Sequence, residues 1–306
     1  MSLQKLLSIV SSCSRVETRK QWRRDVLTVT KINITEQEFE QFCRYLEQAC
    51  GILLAKHKQY LVESRLGKIL QEGEYKSLGD LVNTLSRPGN SELKEAVINA
   101  MTTNETLWFR DNHPYEILKN IILPELAESR SGQRLKIWSA ACSTGQEPYS
   151  ISMIIDEFKK VNSGVFRLGE EITATDICTR VLEKARAAEY EMLALGRGLS
   201  QERLKQFFEP GKNEAWSLKK EIKSRVRFRE LNLLGLYTGI GPCDIVFCRN
   251  VLIYFSTERK RDILQKIHKT LRPGGFLLLG ASESVADLND LYEMIHCRPG
   301  IIYRAK

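Results

Sequence analysis

From about residue 115 the chain alternates short apolar runs with helical stretches, and this rhythm restricts the possible folds more than any other feature of the sequence. A helix over 115–128 leads to a strand over 135–139. A helix over 148–160 leads to a strand over 171–175 that ends on Asp176. A helix over 179–188 comes next. Later come a strand over 244–248, a helix over 257–271 and a strand over 276–279, the last two joined by a tight turn, Arg272-Pro273-Gly274-Gly275. Strands that alternate with helices pair in parallel and carry helices on both faces. The fold class is therefore α/β, with a doubly wound sheet. Strands over 292–295 and 301–304, joined by Arg298-Pro299-Gly300, add a C-terminal antiparallel hairpin. Short strands over 207–209, 216–218 and 226–229 interrupt the alternation and predict a small inserted antiparallel β-subdomain at about 203–230.

The chain before this region has a different period. Thr35 followed by Glu38 is a capping box, and Phe39, Phe42, Tyr45 and Leu46 follow at helical spacing until Gly51. Further helices are expected over 56–70, 77–85 and 91–101, with Arg87-Pro88-Gly89-Asn90 as the break before the last. An all-α domain over 32–101, a linker over 102–114 and an α/β domain over 115–306 fit a chain of 306 residues.

Of the net charge of +8, much comes from residues 1–31, where seven Lys or Arg face only Glu17 and Asp25. Such a basic tail is expected to be a solvated terminus. No apolar run approaches the roughly 20 residues of a membrane-spanning helix. The first ten residues lack the long apolar core and cleavage site of a secretory signal. A cytoplasmic protein without membrane insertion is expected. The eight cysteines include no CxxC pair, and the four histidines show no ligand spacing, so no metal is expected.

In a doubly wound sheet the ligand lies beyond the carboxyl ends of the strands. The loop after the first strand, Ala140 to Glu147, is rich in small residues but holds only Gly145, so it is no dinucleotide fingerprint. Pro148 would open the next helix. Asp176 stands where a carboxylate accepts ribose hydroxyls, or caps a helix. Glu147 lies beside a helix start. Arg249 and Asn250 lie just past a strand end. The linker combines Thr102, Thr103, Asn104 and Thr106 with Trp108, Phe109 and Arg110, either as part of a site or as a connection anchored by two core aromatics.

Six segments then occur in a fixed order: MTTNETLWFRD, IWSAACSTGQEPYS, TATDICTRVLEKA, FRELNLL, CDIVFCRNVLIYF and LRPGGFLLLGASES. Together they resemble the chemotaxis receptor-glutamate methyltransferase family (CheR), over roughly residues 35–306. The resemblance implies a Rossmann-like class I methyltransferase sheet that binds S-adenosylmethionine and releases S-adenosylhomocysteine. Matching positions imply that Asn104, Thr106 and Arg110 close over the cofactor. Glu147 and Asp176 between them would hold its amino-acid and ribose ends. Asn232, Leu233, Arg249 and Asn250 would complete the pocket, and Tyr254 would sit near the transferred methyl. Arg110 and Tyr254 are the candidate catalytic residues. The implied partners are methyl-accepting chemotaxis receptors, with no nucleic acid expected. Lys58, Arg65 and Lys68 fall within about an 80° arc of one helix, and the resemblance implies a basic face there for acidic receptor helices. The compact turn over 209–215 predicts no grip on a receptor C-terminal peptide.

A glutamate with an unperturbed pKa of about 4.3 is already ionised near neutral pH and needs no general base. The lack of a convincing catalytic His or Cys agrees with such a substrate. Two rivals are a nucleic-acid methyltransferase, which the basic tail favours but the missing [ND]PPY motif does not, and a non-catalytic module that senses S-adenosylmethionine.

Overall fold

The computed structural model describes residues 34–130, 132–211, 214–285 and 287–306. The basic segment 1–31 lies outside the described residues, and the turn 209–215 lies partly outside them. The helical domain comprises α1 (Glu36–Cys50), α2 (Gln59–Glu72), α3 (Leu78–Leu85) and α4 (Ser91–Met101), with a 3-10 turn, Lys56–Lys58, leading into α2. The local signals hold. The Thr35 hydroxyl accepts from Glu38 N at 3.3 Å, and Glu38 Oε2 accepts from Thr35 N at 3.0 Å. Ser77 caps α3. Phe42, Leu46, Val62, Leu66, Leu78, Leu81 and Leu85 form a closed apolar core among these helices.

Glu38 also accepts from Gly79 N at 3.2 Å, which ties the start of α1 to α3. Its contact with the Ser77 hydroxyl, then its bond from Thr35, hold its carboxyl down at about 2. A depressed carboxylate stabilises the fold above its unfolded pKa and loses that contribution as pH falls toward the folded value. Glu38→Gln should cost about 1 kcal/mol at pH 7. It should also flatten the loss of stability between the ordinary carboxylate range and pH 2. Urea denaturation across that window checks this, and parallel acid limbs for the two proteins would contradict it.

The next elements are α5 (His113–Ile117), a π-helical turn (Leu118–Ile122) and α6 (Leu123–Ser129), which replace the single helix expected over 115–128. Then come β1 (Leu135–Ala140), α7 (Gln146–Val161), β2 (Glu170–Asp176) and α8 (Thr179–Ala187). The insertion holds β3 (Glu189–Tyr190), α9 (Met192–Leu195), α10 (Gln201–Phe207), β4 (Phe208–Pro210), β5 (Trp216–Leu218) and α11 (Lys220–Lys223). The chain closes with β6 (Val226–Glu230), β7 (Cys243–Cys248), α12 (Thr257–Thr270), β8 (Leu271–Leu279), β9 (Tyr292–His296) and β10 (Ile301–Ala305).

The main sheet runs β6-β2-β1-β7-β8-β10-β9. Its first five strands are parallel, and the hairpin β9–β10 adds the antiparallel edge. Side chains along each central strand alternate between two cores. Ile137, Ile245, Phe247, Phe276 and Leu278 face one. Trp138, Val246, Cys248, Leu277 and Leu279 face the other. Burial on both faces explains why these strands read as unbroken apolar runs. No helix among the described residues is long and apolar enough to cross a membrane.

Three expectations need correction. Residues 226–229 do not belong to the inserted subdomain: β6 pairs in parallel with β2, and Phe228 packs edge-on against Tyr149 at 5.6 Å. The small sheet is β3-β5-β4 instead, so the insertion begins at the two-residue β3. Arg272–Gly275 is no turn between elements: Cys243 pairs with Leu271 and Ile245 with Phe276, so these residues bulge within β8. Finally, α7 opens at Gln146 behind Gly145, whose φ is 93°, and Pro148 is its third residue. The first turn still tolerates a proline there, because its N–H groups have no helical acceptor.

The helical domain docks over the carboxyl ends of the strands. Leu53 N donates to Tyr254 O at 2.9 Å, and Asn232 Nδ2 to Ala49 O at 2.8 Å. Asn99 exchanges bonds with Thr179 at 3.0 and 3.1 Å. Gly51 closes α1 at φ 78°, and a Cβ there would strike the Phe255 ring at 2.4 Å. Glycine is required at this junction by both its backbone and its neighbour.

Candidate active site

Strand order reverses between β1 and β7, the place where an open α/β sheet leaves a crevice at its carboxyl edge. A cavity of about 1210 Å³, including its open mouth, occupies that place beneath the helical domain. The loops after β1, β2, β6 and β7 supply one wall. Residues 102–107, which join the two domains, cross it.

Glu147 is buried. Its Oε1 accepts from Ser139 Oγ at 2.8 Å and its Oε2 from Arg249 Nη1 at 3.3 Å. Burial pushes its carboxyl upward, against the pull of Arg249. Asp176 ends β2, also buried. It accepts from Ser143 N at 2.8 Å and Cys178 N at 2.9 Å, which fixes the loop after β1 to the strand end. Burial raises its pKa too, and those backbone bonds oppose the rise. Each carboxylate oxygen can accept more than one hydrogen bond, so both groups keep capacity toward the cavity.

The two arginines have different tasks. Arg249 has a fully enclosed guanidinium that bridges Glu147, the carbonyl of Arg110 at 3.0 Å and Asp111 Oδ2 at 2.6 Å. It is a clamp on the linker. Arg110 lines the cavity, and among the described residues its guanidinium makes one long bond, 3.4 Å to Glu105 O. The linker is anchored by its aromatics and lines the cavity with its polar residues. Trp108 stacks edge-on with Tyr190 at 4.9 Å and Phe208 at 5.4 Å, Phe109 packs on Tyr115 at 5.2 Å, and the polar residues on either side reach the cavity. The Asn104 carbonyl accepts from Ser143 Oγ at 2.7 Å.

Leu233 gives an apolar face. Asn232 also lines the cavity, but its amide is committed to Ala49 O and Leu234 N. Asn250 has left-handed backbone, φ 57°, and its Oδ1 is buried without a hydrogen-bond partner among the described residues. Tyr254 ends a 3-10 turn (Leu252–Tyr254) at the mouth. The structure thus brings together Asn104, Thr106, Arg110, Glu147, Asp176, Asn232, Leu233, Arg249, Asn250 and Tyr254 around one space.

The expected basic face on α2 is not a single surface. Lys58 and Arg65 line the cavity rim. The Arg65 guanidinium donates to Met101 O at 2.7 Å, Thr102 O at 3.3 Å and Thr103 Oγ1 at 3.2 Å, so it caps α4 and pins the linker. Lys68 lies one turn on, exposed, 3.6 Å from Glu72.

Sequence reasoning missed several contributors. Ser139 and Asp111 orient Glu147 and Arg249. Glu283 accepts from the backbone after β7. The opposite wall comes from Ile52, Leu53, Leu54 and Leu61 of the helical domain. Glu283 lies inside a segment already noted for its resemblance. The apolar wall carried no signal, because its residues read as ordinary core.

The donor set fits S-adenosylmethionine. Two buried carboxylates suit an ammonium and a ribose diol, the unpartnered Asn250 Oδ1 suits a ligand N–H, and Leu233 suits a flat apolar ring. Residues 104–301 match the family model described as CheR methyltransferase, SAM binding domain, and residues 37–102 match CheR methyltransferase, all-alpha domain. The chain is 55% identical over 269 residues to chemotaxis protein methyltransferase Cher2 of Pseudomonas putida, covering 88% of this chain and 98% of that protein. It is 56% identical over 269 residues to chemotaxis protein methyltransferase 1 of Pseudomonas aeruginosa, with the same coverage of 88% and 98%. Against chemotaxis protein methyltransferase 1 of Vibrio cholerae the identity is 48% over 278 residues, covering 91% of this chain and 100% of that protein. With both domains matched in order, the chain belongs to the CheR family of S-adenosylmethionine-dependent chemotaxis methyltransferases.

Proposed function

We propose that this chain methylates glutamate side chains of methyl-accepting chemotaxis receptors, giving glutamate methyl esters and S-adenosylhomocysteine, in the cytoplasm. The observation that carries the reading is the division of labour between the two arginines. Arg249 is enclosed and committed to the protein, whereas Arg110 lies at the cavity with most of its donors uncommitted among the described residues. A planar guanidinium so placed suits an incoming carboxylate.

S-adenosylmethionine, when bound, supplies a methyl group activated by its sulfonium. Glu147, Asp176 and Asn250 would hold it. The chain's remaining work is to orient an already ionised carboxylate and to exclude water from it. Arg110 orients through its fork, and Tyr254 shields the mouth with its ring and donates one hydrogen bond. Too tight an arginine pair would blunt the nucleophile, so Arg110 positions rather than activates. Lys58, at the end of the 3-10 turn, and Lys68, on α2, offer positive charge to an acidic receptor helix.

Transfer of radiolabelled methyl to a purified receptor signalling domain, followed by mild base, tests the reading. Base-labile label on the receptor is expected. Base-stable label, or binding of S-adenosylhomocysteine with no label on a panel of receptors, would overturn it.

A further inference from the structure

We propose that Glu283 is a positioning residue for methyl transfer, acting through Asn250 and Tyr254; this rests on the methyltransferase reading of the cavity. Glu283 does not line the reaction cavity but the neighbouring groove. Its Oε2 accepts from Asn250 N at 2.7 Å and from Gly280 N at 2.8 Å, and its Oε1 accepts from Ile253 N at 3.3 Å. One carboxylate therefore gathers backbone N–H groups from the loops after β7 and after β8.

Two of the bonds bear on residues of the site. Asn250 holds left-handed backbone, φ 57°, a conformation that asparagine adopts more readily than most non-glycine residues and that a bond to its N–H can fix. The bond from its N–H to Glu283 fixes that conformation, and with it the place of a side chain whose Oδ1 has no hydrogen-bond partner among the described residues. Ile253 is the middle residue of the 3-10 turn, and the next residue is Tyr254. The third donor, Gly280, admits the approach because it has no side chain: a Cβ there would lie 2.7 Å from Glu283 Oε2 and 2.9 Å from Asn250 N. Charge-assisted bonds to a carboxylate are roughly twice as strong as neutral ones, so the loops are held more firmly than turn geometry alone would hold them.

The test compares the full chain with Glu283→Ala and Glu283→Gln. The readouts are S-adenosylhomocysteine affinity by calorimetry, kcat for base-labile labelling of a receptor signalling domain, amide exchange at Asn250, Ile253 and Gly280, and melting temperature. Glu283→Ala should weaken S-adenosylhomocysteine about tenfold, lower kcat about a hundredfold and speed exchange at all three amides. In Glu283→Gln the amide oxygen still faces Asn250 and Gly280, but its NH₂ meets the Ile253 N–H, donor against donor. This variant should bind S-adenosylhomocysteine within about threefold of the parent while kcat stays about tenfold down. Should the alanine variant not fold, the glutamine variant carries the test. The proposal is overturned if folded Glu283→Ala stays within about twofold of the parent in affinity and kcat, if Glu283→Gln keeps kcat within about twofold of the parent, or if Glu283→Gln loses affinity as far as it loses kcat. A parent protein that binds S-adenosylhomocysteine but labels no receptor would refute the receptor substrate alone, and affinity and exchange would still decide the role of Glu283.

Discussion

Arg249→Met should destabilise the protein by about 3–5 kcal/mol, the usual result of removing one partner from a buried charge pair. The guanidinium is enclosed, and it is shared among Glu147, Asp111 and the carbonyl of Arg110. Its loss leaves the Glu147 carboxylate buried with Ser139 as its remaining bonded partner among those described. Methyl transfer should fall by about a hundredfold or more, because the linker that carries Arg110 loses its anchor. Burial already raises the Glu147 pKa, and Arg249 is the main force lowering it. In the variant the rise goes further. A carboxyl with a raised folded pKa destabilises most when ionised, so the deficit should be largest above that pKa and shrink as pH falls toward the ordinary carboxylate range. Arg249→Lys keeps the charge but cannot span three acceptors, and should recover less than half of the loss. Guanidinium denaturation at pH 5 and pH 8 checks both points. A deficit under about 1 kcal/mol at the higher pH would show that the clamp has no such role.

Gly198→Ala is the second large effect, with an expected cost of about 3 kcal/mol. The residue has φ 95°, and a Cβ would lie 2.1 Å from the carbonyl oxygen of Trp108. The obstacle is backbone, and it cannot swing away. Trp108 N already donates to Arg197 O at 3.0 Å, so the linker runs hard against this turn. Gly196→Ala is the control: its φ is −64°, and a Cβ would meet the carbonyl of Met192 at an ordinary 3.4 Å. Thermal unfolding should separate the two variants clearly, and equal midpoints would remove the close approach from the account.

Features written within a few residues were legible in the sequence. The capping box of Thr35 and Glu38 marked α1, and residues 91–101 bounded α4 correctly because their punctuation is local. The parallel core strands were legible because both faces are buried. Resemblance, more than chemistry, identified Asn232 and Leu233. What could not be read depends on distance along the chain. Arg249 finds Asp111 across 138 residues, and no spacing rule links them. Strand β3 has two residues, too few for any period, so the sequence does not separate β6 of the main sheet from the small sheet. Arg65 looked like part of a charged surface because helical geometry places side chains on a face but cannot say what lies opposite that face. Its actual neighbours are carbonyls at the end of α4.

The cleft takes one wall from the parallel sheet and the other from the helical domain. Domain docking and ligand capture are therefore two views of one equilibrium. A ligand that touches both walls binds the docked arrangement alone, so it adds its binding free energy to the domain interface, about 2.7 kcal/mol at a hundred times its dissociation constant. The same linkage runs in reverse. Any change that loosens the contacts of Asn232 with Ala49 or Leu53 with Tyr254 taxes affinity, because part of the free energy of binding must first bring the halves together. A product that spanned both walls would, by the same linkage, hold the two domains together after the reaction.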